Sequence, residues 1–207
     1  EVYNLTIKAF ELADKYRNPV MLLLDSNLAL LNEGLTIDKE LLHPDKLPIK
    51  NWKLDGAKNR QPNIYKSYNE DNSKKYHDII LKFKDIEKEI LYEEFMTEDA
   101  DEIIIAFGSV ARIIKESVLK SRKNGRKIGL FRPISLNPFP KNELIKLAEK
   151  VKKITVVELN SGLMYSDVIN IVGNKAEISF LGESENLIGF RKIIEAFEKS
   201  INVAWKL

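Results

Sequence analysis

The sequence predicts an α/β fold, a mostly parallel sheet with helices on both faces. Four short apolar runs, at 103–107, 127–131, 154–157 and 178–181, recur through the second half of the chain. Each is mostly apolar, Lys127, Thr155 and Ser179 being the polar residues among them, and each reads as a strand. Between them lie stretches whose apolar residues fall at helical spacing, and strands alternating with helices at this interval imply parallel pairing and right-handed crossovers.

The chain opens inside an amphipathic helix. Leu5, Ala9, Leu12, Ala13 and Tyr16 share one face, and Asn18-Pro19 breaks it. Val20-Met21-Leu22-Leu23-Leu24 then predicts a strand buried on both faces, ended by Asp25-Ser26-Asn27. With neither an initiator Met nor a signal pattern before that helix, residues 1–32 are expected to be the last helix–strand unit of a domain cut from a longer polypeptide. From 33 to about 72, Pro44, Pro48 and Pro62 stand among Asn, Asp and Lys, with Trp52 and Tyr65 as isolated aromatics. That predicts an extended connector pinned to a neighbouring surface by its aromatics. Ile79, Phe83, Ile86 and Ile90 share a face, so a linking helix is predicted from about Asn72 to Met96.

The βα rhythm starts at Asp101. Ile103–Phe107 reads as strand, and Val110, Ile113, Ile114 and Val118 stripe the helix after it. Lys127–Phe131 is the second strand. "RPISLNPFP" follows as a rigid loop, with Pro140 placed where a first helical turn needs no N–H. Leu144, Leu147, Ala148 and Val151 then face a core. Ile154–Val157 is the third strand, with a short helix after Gly162. Ile178–Leu181 is the fourth, and Phe190, Ile193, Ile194 and Phe197 stripe a final helix. The predicted domains are 1–32, a connector and linking helix over 33–98, and an α/β domain over 99–207.

Composition removes several functions. The chain has 207 residues and a net charge of +2, from 33 basic and 31 acidic side chains. A balance so even offers no broad attraction to nucleic acid or to an anionic membrane. There is no cysteine, which excludes disulfides, thiolate zinc and cysteine-held iron–sulfur clusters from this chain. No apolar run approaches the roughly 20 residues that span a bilayer. A cytoplasmic protein is expected.

The turn at Gly108-Ser109 sits where a dinucleotide fingerprint would, but Val110 and Ile113 occupy the positions of its second and third glycines. Arg132, rather than an acid, ends the second strand. Gly108 is therefore expected to allow a tight turn and Ser109 to cap the helix. The other strand ends, Arg132-Pro133, Asn160-Ser161-Gly162 and Gly182-Glu183-Ser184, gather at the edge of the sheet where ligands bind in such folds. Small polar residues are also what these turns require. "KSRKNGRK" (120–127) reads as a solvated basic helix terminus, with docking of an acidic partner or phosphate as the alternative. "LYEEFMTEDADE" reads as a solvated helix end whose carboxyls are unshifted. His43 and His77 lie far apart, without a second ligand at metal spacing, and are expected at the surface. No nucleophile elbow, P-loop or zinc motif is present.

Taken together, "EDADEIIIAFGSVARIIKESV", "GRKIGLFRPISLNPFPKNELIKLAEKVKKITVVELNSGLM" and "AFELADKYRNPVMLLLDSNLA" resemble the C-terminal part of the alpha subunit of 2-oxoacid:ferredoxin oxidoreductases. The connector "WKLDGAKNRQPNIYKSY" is similar to that of the branched-chain type acting on 2-oxoisovalerate (3-methyl-2-oxobutanoate). The resemblance implies a transketolase C-terminal-like α/β domain preceded by the end of a thiamine pyrimidine-binding domain. It implies oxidative decarboxylation of a 2-oxoacid to an acyl-CoA, with electrons passed to ferredoxin. Thiamine diphosphate, magnesium and iron–sulfur clusters belong to the full complex, bound by absent segments or by beta and gamma/delta-type partner subunits; none is expected on this chain. No catalytic residue is identified in it. Gly108, Ser109, Arg132, Asn160, Ser161 and Gly162 are the residues expected to form an interface or one wall of the substrate or coenzyme A approach. Two departures weaken carry-over to the loops: Leu163 stands where the family usually has Gln, and "FLGESENLIG" replaces a "GRMGG" stretch. A non-catalytic interaction module, a 2-oxoglutarate or pyruvate homologue and, least favoured, an NADP-binding enzyme are the alternatives.

Overall fold

The computed structural model describes residues 1–37, 50, 56, 59 and 72–182. The proline-bearing connector with its two aromatics and His43, the Glu183-Ser184 loop and the striped helix around Phe190–Phe197 lie outside the described residues. The chain divides into two compact units: 1–23 with 30–86, and 24–29 with 87–207.

In the first unit, helix α1 (Val2–Tyr16) ends at Arg17, whose φ of 47° is left-handed. The residue before a helix-breaking Asn-Pro pair is a natural place for that stop. Leu5, Ala9, Leu12 and Ala13 are half-buried and Tyr16 is buried, as their shared face predicts. The Tyr16 hydroxyl donates to the Asp85 carbonyl (3.3 Å) and Lys82 Nζ to Asn18 Oδ1 (3.2 Å). Asp85 and Lys82 belong to a later helix (Asn72–Ile86), and Asn18 to the turn after α1. His77, on that later helix, is exposed.

Two expectations fail in this half of the chain. Val20–Leu24 forms no strand; Met21 is 81% and Leu23 71% exposed. A strand exists only through its neighbours' hydrogen bonds, and no described strand lies beside this run. After it comes a five-residue helix, α2 (Ser26–Leu30). The linking helix, α3 (Asn72–Ile86), also stops early. A 3₁₀ turn (Glu87–Glu89) and a strand, β1 (Tyr92–Phe95), follow where helix was predicted to reach Met96. In "YEEF" the faces alternate between exposed and half-buried, which is the period of a strand.

The second unit holds a five-stranded sheet in the order β1-β3-β2-β4-β5, with β2 Glu102–Ile105, β3 Ile128–Pro133, β4 Lys153–Glu158 and β5 Glu177–Gly182. Pairs β2–β3, β2–β4 and β4–β5 are parallel, and β1 runs antiparallel along β3. The helices are α4 (Gly108–Lys123), α5 (Lys141–Ala148) and α6 (Leu163–Val172). Strand side chains divide by parity between two cores. Ile103, Ile105, Phe131, Ile154 and Val156 pack with Leu144, Leu147 and Ala148 of α5 and Met164, Val168 and Val172 of α6. Ile104, Ala106, Ile128, Leu130 and Val157 pack on the other face with Val110, Ala111, Ile114 and Val118 of α4. Both faces of the sheet are covered, which is why its central strands are mostly apolar on both sides. Each fully buried Ile or Leu contributes about 1.5–3 kcal/mol through loss of water contact.

The basic stretch at 120–127 is more than a solvated helix end. Arg122 donates from Nε to the Ile128 carbonyl (2.8 Å) and from Nη2 to the Met96 carbonyl (2.6 Å), and pairs with Asp99 at 2.7 Å. Arg126 Nη2 bonds both carboxylate oxygens of Glu102 (2.9 and 3.0 Å). These two arginines staple the end of α4 to the strands it follows.

Candidate functional site

The strand order fixes where a ligand crevice would lie. The chain leaves β2 for β3 on one side and returns to β4 on the other, so β2 and β4 are neighbours whose outgoing helices cover opposite faces. The space beyond the carboxyl ends of such a pair is the topological switch point, where open α/β sheets bind ligands. Gly108 and Ser109 follow β2, and Asn160, Ser161 and Gly162 follow β4. Five of the six predicted residues therefore flank the crevice. Arg132 stands on β3, on the far side of β2.

At the β2 side, helix α4 begins after Phe107, which supplies no side-chain cap. The Ser109 hydroxyl does not supply one either: its Oγ is buried without a hydrogen-bond partner among the described residues. The cap predicted for Ser109 comes instead from Asp25. Its Oδ2 accepts the Ser109 N–H at 2.9 Å, while Oδ1 accepts the Leu28 N–H at 3.0 Å in the first turn of α2. One carboxylate thus serves the amino ends of two helices, where the peptide dipoles favour negative charge. Gly108 makes the approach possible. Its φ is +59°, and a Cβ there would lie 2.9 Å from Asp25 Oδ2.

At the β4 side, two side chains satisfy the opening of α6. Asn160 Oδ1 accepts from the N–H groups of Gly162 (2.8 Å) and Leu163 (2.9 Å). Glu158, 1% exposed, accepts from Met164 (Oε2, 3.1 Å) and Tyr165 (Oε1, 2.9 Å). Four successive N–H groups at the start of the helix are met, with Gly162 at φ 103° letting the chain double back over them. Ser161 is exposed at the lip, and Leu163 is 73% exposed beside it. The edge is closed toward β5 by Tyr165 stacked on Phe180, ring centroids 4.9 Å apart.

Arg132 is engaged inside the fold. It faces Glu93 across the β1–β3 pair, Nη1 to Oε2 3.0 Å, and Glu93 also receives Lys115 of α4. Lys115 lies over the Phe95 ring at 4.7 Å. The hydrogen bond from Lys115, with that from Arg132 and the charges of both, holds the Glu93 carboxyl below its usual 4.5 despite partial burial. This corrects the expectation that the acidic stretch carries no shifted carboxyl.

Chemically, the chain's own oxygens meet four N–H groups at the opening of α6 and one, that of Ser109, at the opening of α4, and the exposed Ser161 and Leu163 border the crevice. Asp25 and Glu158, which make it so, are not among the residues the sequence singles out. For Glu158 a signal exists: a lone acid ending an apolar strand, followed by Asn-x-Gly, is a helix-capping pattern. Among the described residues there is no group of three or more His, Asp or Glu side chains placed to hold a metal ion, and no helix long and apolar enough to cross a membrane. Among the described residues none are grouped to hold a diphosphate with its magnesium, and a chain without cysteine has no thiolate for an iron–sulfur cluster.

Residues 100–186 match the family model of the pyruvate:ferredoxin oxidoreductase core domain II. The chain is 36% identical over 173 residues to the ketoisovalerate oxidoreductase subunit VorB of Methanothermobacter marburgensis, covering 81% of this chain and 48% of that subunit. It is 33% identical over 201 residues to VorB of Methanothermobacter thermautotrophicus, covering 94% and 56%. The chain thus spans about half the length of the curated relatives it matches. In fold it is similar to a solved 2-oxoglutarate:ferredoxin oxidoreductase from Magnetococcus marinus, with TM-score 0.51 and 19% identity over 65% of this chain and 24% of that one. The match over strands β2–β5 makes residues 100–186 a core domain II of the pyruvate:ferredoxin oxidoreductase family, and over most of its length the chain is similar to ketoisovalerate oxidoreductase subunits.

Proposed function

We propose that this chain is the C-terminal part of the alpha subunit of a thiamine-diphosphate-dependent 2-oxoacid:ferredoxin oxidoreductase. The complete enzyme converts 2-oxoisovalerate to its acyl-CoA and delivers the electrons to ferredoxin. The observation that carries this is the 36% identity, across 81% of the chain, to a ketoisovalerate oxidoreductase subunit. Thiamine diphosphate, magnesium and the clusters sit on other segments and on the beta and gamma/delta-type subunits of a cytoplasmic assembly. Residues 1–32 are the end of a pyrimidine-binding domain, 33–98 connect it, and 99–207 form a transketolase C-terminal-like domain.

The role of this part is scaffolding. The opening of α6 has four N–H groups met from within and that of α4 has the Ser109 N–H met by Asp25, which favours an interface over a phosphate-binding wall. Ser161 and Leu163 at the lip are the contact points, and Arg132 orders the sheet edge through Glu93. The test is reconstitution of the full alpha subunit with its partner subunits. Coenzyme A-dependent dye reduction should be fastest with 2-oxoisovalerate and slower with pyruvate and 2-oxoglutarate. Preference for either of the latter overturns the substrate assignment, and no turnover with any of the three overturns the enzyme assignment. Arg132→Ala in that assembly should leave KM for coenzyme A and for the 2-oxoacid unchanged; a rise of tenfold or more in either would make Arg132 a ligand contact.

A further inference from the structure

Residues 24–29 belong to the α/β unit, although the chain on both sides of them belongs to the other unit. Something must hold so short a segment there. Six residues bury little, and two of the apolar ones, Leu24 and Ala29, are exposed. The polar anchor within the segment is Asp25, whose carboxylate reaches the N–H of Ser109, 84 positions away.

We propose that the switch-point crevice of this domain is a receptor for the chain's own strap, residues 24–29, and that Asp25 is the latch. Three observations converge on it. The carboxylate bonds the strap's own helix opening through Leu28 and the domain's helix opening through Ser109, so releasing it frees both. Gly108 leaves the space the carboxylate needs, since any side chain there meets Oδ2 at 2.9 Å on a backbone of φ +59°. The Ser109 hydroxyl oxygen is buried and lacks a partner among the described residues, so the hydrogen bonding that ties this residue to the strap runs through its backbone N–H. A position that doubly wound sheets use for a ligand's anion is taken here by an anion on a tether. The consequence is a conformational device: one carboxylate decides whether the strap stays on the edge of the sheet. The latch stands or falls apart from the proposed substrate, because it depends on contacts within the chain alone.

The test is amide hydrogen exchange followed residue by residue by NMR on the full chain. In D25A, exchange at Ser109 and Leu28 should quicken tenfold or more, while Ile104, Ile105 and Val156 in the central strands keep their protection. G108A should do the same at Ser109, by expelling the carboxylate rather than removing it. The double variant should be no faster at Ser109 than either single one, because both break one contact. Should D25A lose its strand protection as a whole, D25N, which keeps the shape and one acceptor oxygen, carries the comparison with a smaller acceleration confined to the same two amides. Unchanged Ser109 exchange in D25A or D25N, or additive acceleration in the double variant, overturns the latch.

Discussion

Glu158→Ala is the most demanding test of how the crevice is built. Glu158 ends a central strand at 1% exposure, and its two oxygens accept the N–H groups of Met164 and Tyr165 at 3.1 and 2.9 Å. Removing the carboxylate orphans both donors in the first turn of α6. A hydrogen bond to a charged acceptor contributes about 1.5–3 kcal/mol, and an unsatisfied buried N–H costs about 1–3 kcal/mol. The favourable interaction with the helix dipole, about 0.3–1 kcal/mol, goes as well. Some of this returns as water enters the vacated space beside a half-exposed turn. The expected net loss is about 3–5 kcal/mol, against a total of about 5–15 kcal/mol for a typical domain. Glu158→Gln keeps one acceptor oxygen but turns an NH₂ group toward the other N–H, so about 1.5–3 kcal/mol is expected.

Urea denaturation followed by far-ultraviolet circular dichroism measures these differences through the midpoint at constant slope. Asn160→Ala is the internal control. Its Oδ1 serves Gly162 and the exposed Leu163, so its loss should cost about 1 kcal/mol, the ordinary value of a helix cap. The signature of a buried charged cap is a graded loss, largest for Glu158→Ala, smaller for Glu158→Gln and smallest for Asn160→Ala. If Glu158→Ala costs less than about 1 kcal/mol, or no more than Asn160→Ala, the carboxylate is not what holds the start of α6.

Other outcomes follow from the same contacts. Ser109→Ala should be neutral or stabilising by up to about 1 kcal/mol in the same urea assay, because the hydroxyl it removes is buried and has no partner among the described residues. Arg122→Ala should cost about 1 kcal/mol or more beyond Lys123→Ala, since Arg122 bonds two backbone carbonyls and Asp99 whereas Lys123 is exposed. Glu93 titrates below its usual 4.5, so the stability it contributes is full above that value and drains away as pH falls through the lower folded one. Glu93→Gln should therefore flatten the acid limb of stability below about pH 4.5, and an unchanged limb would mean the Lys115–Glu93–Arg132 cluster contributes nothing. Ile105→Ala should cost about 2–5 kcal/mol in midpoint shift, being wholly buried between α5 and α6 and the sheet.

How legible each part is depends on how local its cause is. Ile103–Ile105 announces itself because burial on both faces demands an unbroken apolar run, and Ile154–Val157 does so with Thr155 as its one polar residue. Leu144, Leu147 and Ala148 do so through helical spacing. Tyr92–Phe95 does not, since "EE" in four residues suits a helix, and it is pairing along Leu130–Pro133, with Glu93 beside Arg132 39 positions on, that makes it a strand. Val20–Leu24 errs the other way: its composition says strand, but a strand needs hydrogen-bonding neighbours, and those are not written in the run itself. At the crevice, the loops after β2 and β4 follow from the order of elements, whereas Arg132's engagement with Glu93 and Lys115 does not. Asp25 is visible as the end of an apolar run; that it caps a helix 84 residues away is a tertiary fact with no local trace.

The crevice itself argues for what this part of the subunit does. A site meant to receive a phosphate keeps its helix-opening N–H groups unoccupied, because displacing an internal carboxylate costs the ligand the bonds it gains. Here Asp25 takes one of those groups at α4, and Asn160 and Glu158 take four at α6, in five side-chain-to-backbone bonds. What remains outward is the exposed Ser161 and Leu163, an apolar contact suited to another polypeptide rather than to an anion. An exposed isobutyl group at a lip suits an interface, where a partner side chain covers it, and serves a polar ligand poorly, since it offers neither donor nor acceptor. The same logic separates the two ways the domain can act: a wall must leave something unpaired for its ligand, whereas a scaffold pairs its helix openings from within.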